Sequence, residues 1–143
     1  MMKHEFEKMY GHEVSFEDYT NIIEPMYMAT NLDKEQFVAC LDKKRFALPT
    51  QRELMNQIKR GAQHLFDICG HRVDHDAENE LEKLAWEYAR RFYGLDRKDL
   101  DCYVYFKHGY EIPELMRGCT YPREMVIGRK GKFQESFVIV KEG

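Results

Sequence analysis

Residues 84–106 read LAWEYARRFYGLDRKDLDCYVYF, and the hydrophobic period changes inside this stretch, at Gly94. Before the glycine, Leu84, Ala85, Tyr88 and Phe92, preceded by Leu81, recur at helical spacing and define one apolar stripe. Trp86, Ala89 and Tyr93 form a second stripe, so this helix is expected to have neighbours on two flanks. Arg90 and Arg91 sit in its last turn, where positive charge offsets the helix dipole, and Gly94 supplies the left-handed residue that closes it. After the glycine, Cys102-Tyr103-Val104-Tyr105-Phe106 is a short aromatic and β-branched run that reads as a strand. The change of period sets the fold class: α+β, helical over residues 1–94 and strand-rich over 95–143.

Working upstream, the spacing predicts helices over 3–10, 16–29, 33–44, 51–69 and 77–93. Three starts carry capping signatures: Ser15 with Asp18, Asp33 with Gln36, and Thr50 with Glu53. Val14 with Tyr19 and Leu32 with Phe37 are placed as hydrophobic staples. Gly11, Gly70 and Gly94 mark helix ends. Pro25 lacks an N–H and crowds the preceding turn, so it is expected to kink or divide the second helix. Leu54, Ile58, Ala62, Leu65 and Cys69 line one face of the fourth, widened by Met55 and Phe66; the last two helices are expected to pair around Gly70. Working downstream, Pro113–Arg117 reads as one helical turn ended by Gly118, and 124–128 with 133–140 as a hairpin around Arg129-Lys130-Gly131-Lys132. The expected architecture is about five helices packed with a C-terminal antiparallel sheet of about three strands. With no internal repeat and no Gly/Ser/Pro linker, a single domain over 1–143 is expected.

The 143 residues are 43% hydrophobic and 33% charged, a globular rather than a disordered composition. A formal net charge of -3 gives no wholesale attraction to nucleic acid or anionic lipid. The N-terminus has no apolar signal core, and no apolar run approaches the roughly 18 residues needed to span a bilayer. The four cysteines, at 40, 69, 102 and 119, form no CxxC pair. A cytoplasmic protein with reduced thiols and no membrane partner is the expectation.

The densest chemistry lies at His64, Cys69, His71, Asp74, His75 and Asp76, flanking Gly70. Were a metal held here, zinc is the ion this set suits, with His64, Cys69, His71 and His75 as ligands. The spacing matches no established ligand pattern, however, and a turn at Gly70 gives Cys69 and His71 no reason to converge. The plainer reading makes Cys69 a core residue and Asp76 the cap of the next helix, with no cofactor. A dyad of His108 with Cys119 or Cys102 lacks any local signature. Asp96, Asp99, Asp101, Glu111 and Glu114 read as turn and cap residues, and Lys43-Lys44-Arg45 as the basic end of a helix. Phosphate-loop and hydrolase motifs are absent, and no catalytic residue is assigned.

Strand alternation places Tyr103 and Tyr105 on one face, opposite Val104 and Phe106. With Val104 and Phe106 turned to the helices, the two tyrosines point outward beside the basic turn. Tyr103, Tyr105, Arg129, Lys130 and Lys132 are therefore the expected interaction surface. The function that follows is a non-enzymatic intracellular module whose partner is a protein; an accessory protein of a phage or mobile element would suit that description. Two alternatives stand beside it: a metal- or cysteine-dependent enzyme centred on His64–His75, and a binder of single-stranded nucleic acid through the tyrosines and the basic hairpin. An open strand edge on a small sheet also invites a homodimer.

Overall fold

The computed structural model describes residues 1–111 and 119–141, with the side chains of Glu111 and Cys119 excepted. The chain is α+β, with the helices first and a three-stranded antiparallel sheet at the C-terminal end. It divides into two compact units, residues 1–49 and 50–143. The change of period at Gly94 falls inside the second unit.

In the first unit, α1 (Lys3–Tyr10) ends at Gly11, whose φ of 83° is left-handed. α2 (Phe16–Asp18) starts on Ser15, which accepts from the Asp18 N–H. It continues through a π-helical turn (Tyr19–Ile23) into α3 (Glu24–Met28). Pro25 is thus accommodated without dividing the helix. Its ring would crowd the carbonyl four residues back in a regular turn, and the widened turn just before it relieves that contact. α4 (Lys34–Ala39) has the full reciprocal capping box of Asp33 and Gln36. The expected helix over 33–44 stops early: Asp42 accepts from the Lys44 N–H and starts a separate turn, α5 (Lys43–Phe46). Lys43, Lys44 and Arg45 therefore open a new turn instead of ending the previous helix. Phe6, Tyr10, Val14, Tyr19, Ile23, Phe37, Val38 and Phe46 form this unit's apolar cluster. The Val14–Tyr19 staple is buried within it, whereas Leu32 stays 41% exposed.

In the second unit, α6 (Gln51–Asp67) is capped by Thr50, and α7 (His75–Tyr93) ends at the left-handed Gly94. The cap of α7 is Asp74, not Asp76: its carboxylate accepts from the Ala77 N–H at 3.0 Å, and the helix starts two residues earlier than its spacing implies. Leu54, Ile58, Ala62 and Leu65 of α6 and Leu81, Ala85, Tyr88 and Ala89 of α7 are buried together. Against them lies the sheet of β1 (Cys102–Glu111), β2 (Cys119–Arg129) and β3 (Phe133–Val138), in the order β1-β2-β3. Met125 and Ile127 of β2 join the same core, with Val104, Phe106 and Phe137 packed on it. The helical turn read over Pro113–Arg117, its stop at Gly118, and Glu114 lie outside the described residues. No helix among the described residues is long and apolar enough to cross a membrane.

Candidate functional site: a cleft along an open sheet edge

β2 is central and paired on both sides, while among the described residues β1 pairs with β2 alone. Hydrogen-bonding direction alternates along an antiparallel strand, so one bond fixes the rest. The Asp101 carbonyl accepts from the Lys130 N–H at 2.9 Å. Tyr103, Tyr105 and Lys107 therefore turn their backbone groups to β2, and Val104 and Phe106 turn theirs to the outer edge. The N–H of Cys102 is already bonded to the Asp99 carbonyl at 3.0 Å. Beyond it no strand among the described residues pairs with this edge, which leaves its N–H and C=O groups to another strand.

A cleft of about 630 Å³ borders this edge. Val104, Tyr105, Phe106 and His108 of β1, with Thr120 and Pro122 of β2, form one wall, and the end of α6, the turn through Gly70 and the start of α7 form the other. Leu65 and Leu81, both buried in the core, line it together with Ile68. The volume falls in the range of recognition pockets, and the mixture of an apolar lining with a few charged groups is of the same kind.

The charged lining is unequal. Asp74, Glu78 and Glu82 stand against one arginine, Arg72, and His108. The three acids are spaced i, i+4, i+8 from the cap of α7, a spacing that places them in one row about 6 Å apart. Asp74 also accepts from His64 Nε2 at 3.0 Å, which ties the end of α6 to the start of α7. That hydrogen bond, aided by the Ala77 N–H, holds the Asp74 carboxyl below its ordinary value, so the group is anionic at neutral pH.

The residues expected as metal ligands do not gather at one point. His64 bonds Asp74, His75 Nδ1 bonds Glu78 at 3.3 Å, the Cys69 thiol approaches the Thr120 carbonyl at 3.5 Å, and His71 is exposed. Among the described residues no three His, Cys, Asp or Glu side chains are arranged to hold a metal. For the dyad, Cys102 is buried beneath Arg129, and the side chain of Cys119 lies outside the described residues.

The expected interaction surface is brought together only in part. Tyr103 and Tyr105 share the outer face of the sheet, with ring centroids 5.9 Å apart. Tyr105 is 44% exposed. Tyr103 instead lies across Gly128, where a Cβ would stand 2.5 Å from its hydroxyl, and donates to Gln134 Oε1 at 3.0 Å. Arg129 faces the other way: it pairs with Asp99 at 2.9 Å and approaches the Cys102 thiol at 3.5 Å. The N–H of Asp101, and then the Arg129 charge, hold the Asp99 carboxyl below its ordinary value. Lys130 and Lys132 are exposed at the turn, whose bend is made at Gly131 with φ 75°.

Sequence reasoning missed the cleft, although two of its signals were present. Asp74-x3-Glu78-x3-Glu82 puts three carboxylates on one helix face, and β1 begins the sheet with no earlier strand to cover it. Comparisons with protein-family models, with curated proteins and with solved structures find no match to this chain.

Proposed function

We propose that this chain is a protein-binding module that receives an extended segment of its partner against β1, in the cleft between the sheet edge and the α6–α7 turn. The observation that carries the reading is the coincidence of an open β1 edge with a cleft of about 630 Å³ alongside it. A strand added there finds backbone partners at Val104 and Phe106. Its alternate side chains enter the space lined by Leu65, Ile68 and Leu81. Main-chain bonds then give affinity, and the pocket gives selectivity. Tyr105, which reaches both the outer face and the cleft lining, is the one residue shared with the tyrosine surface.

The alternatives receive less support. Stacking of nucleic-acid bases has one of its two rings held against Gly128 and one of its three cations paired to Asp99. A metal- or thiol-dependent enzyme has its proposed ligands dispersed over separate partners.

Strand addition is tested with heptapeptides that alternate valine with a polar residue, bound to the full chain. Binding is expected to slow hydrogen exchange at the Val104 and Phe106 amides, and N-methylation of the peptide bonds that face β1 is expected to abolish it. Binding that survives N-methylation at every alternate position would sink the reading, as would unchanged exchange at both amides.

A further inference from the structure

The charge and spacing of the cleft wall specify the partner more narrowly than an open edge does. We infer that the segment received at β1 alternates basic with apolar residues, its lysines or arginines running along the Asp74–Glu78–Glu82 row of α7. This rests on the strand-addition reading and deepens it.

The argument begins with geometry. Acids four residues apart on a helix rise about 6 Å per step, and every second residue of a strand advances about 6.8 Å. An extended segment laid along α7 therefore matches the row of carboxylates with its alternate side chains over two or three positions. In a strand those alternate residues share one face, and the residues between them point the other way. A segment with cations at one parity and apolar residues at the other presents both kinds of group along a single length of chain. The basic parity is the one turned to the helices, where lysine or arginine stems lie along Leu65, Ile68 and Leu81 while their charged ends reach the carboxylates, and the apolar parity lies on the outer face beside Tyr105.

Electrostatics points the same way. With His neutral, the cleft lining carries three carboxylates and one guanidinium, a net of -2. The whole chain carries only -3, so negative charge is concentrated at this wall. The internal partners of the acids are easily displaced. Glu78 is bonded to His75, whose side chain is 81% exposed, and the side chain of Glu78 is itself 52% exposed. Glu82 meets Arg97 at 3.2 Å, with its own side chain 47% exposed. Ion pairs this open are worth little and exchange readily for an incoming cation. A carboxylate also has lone pairs beyond the one bond it makes here. Asp74 alone is fixed by structural duty, as the cap of α7 and the acceptor for His64. Glu78 and Glu82 are thus the two groups able to discriminate among partners without holding the fold.

The test compares three heptapeptides of alternating valine in which the intervening residues are all lysine, all glutamine or all glutamate, titrated against the full chain by calorimetry. The lysine peptide is expected to bind about fivefold to tenfold tighter than the glutamine peptide, as two or three partly exposed charge pairs would give. Raising the salt concentration is expected to shrink the difference. The paired variant Glu78→Gln/Glu82→Gln is expected to erase the preference while keeping the wild-type circular dichroism and melting temperature. Equal affinity for the lysine and glutamine peptides, with slowed exchange at Val104 and Phe106, would overturn the basic-partner inference and leave strand addition standing. Failure of all three peptides to bind or to protect those amides would overturn both. A stable dimer in sedimentation, with the two amides protected in the absence of peptide, would make a second copy the occupant and likewise overturn the inference.

Discussion

Asp74 shows how much one side chain carries when it stands at a junction. One carboxylate oxygen accepts from the Ala77 N–H and starts α7, and the other accepts from His64 on α6. The loop from Gly70 to Asp74 is thereby held at both ends, and it forms one wall of the cleft. The carboxyl titrates below its ordinary value of 3.8, the His64 bond being the main cause and the Ala77 N–H the second. A depressed folded-state value means that ionised Asp74 stabilises the folded chain above the unfolded-state value. That contribution is lost as pH falls through the folded-state value. Asp74→Asn keeps an oxygen for the cap but has no carboxyl to protonate. Between about pH 5 and about pH 2.5, wild type is expected to lose more stability than the variant. Urea unfolding at the two pH values measures the difference, and identical losses would show that the clasp carries no charge-dependent stability. The sequence placed Asp74 and His64 in one cluster but not in this arrangement. A ten-residue separation across a turn gives no sign of which imidazole meets which carboxylate.

At the level of the elements, two glycines inside regular structure separate packing from conformational freedom. Gly109 sits in β1 opposite Tyr121, and a Cβ there would stand 2.5 Å from the Cζ of that ring. Tyr121 is fully buried and meets Phe66 edge-on at 4.7 Å, so it cannot swing aside. Gly61, in the middle of α6, would bring a Cβ only to 3.4 Å from Leu81 Cδ1, an ordinary contact. Gly109→Ala is therefore expected to destabilise by about 1–3 kcal/mol, as an overpacked core does. Gly61→Ala is expected to stabilise by about 0.5–1 kcal/mol, because glycine is a poor helix residue. Chemical denaturation of the two variants checks both signs; a tolerated Gly109→Ala would mean that the Tyr121 ring has somewhere to go. The helices and the hairpin were legible because their signals are local: caps, glycine stops and apolar period. The split at Asp42 and the π-helical turn before Pro25 were not. They depend on which of two competing caps or turns the surrounding packing favours, and that choice is absent from the local pattern. Tyr103 was likewise placed on the correct face, but its use as a cover for Gly128 depends on a register fixed by the partner strands.

Across the whole molecule, the buried apolar residues fall into two clusters with no member in common, one in residues 1–49 and one in residues 50–143. No composition change marks the boundary. Pro49-Thr50 reads as a helix start, and Thr50 does cap α6, so a junction between units looks like a junction between helices. Each unit is stabilised by its own core, and the two cores differ in size. The second unites two long helices with the sheet; the first rests on eight buried side chains, all but Val14 carried by short helices. Small domains bury a lower fraction of their surface and become marginal near the length of the first unit. Residues 50–143 expressed alone are therefore expected to unfold cooperatively, with the near-ultraviolet dichroism of packed aromatic residues. Residues 1–49 alone are expected to melt broadly or not to fold. Because every residue that lines the cleft belongs to the second unit, the shorter chain is also expected to bind the lysine–valine heptapeptide if the whole chain does. A 50–143 fragment without a cooperative transition would show that the two clusters fold as one. A fragment that folds but loses an affinity present in the whole chain would place part of the recognition in the first 49 residues.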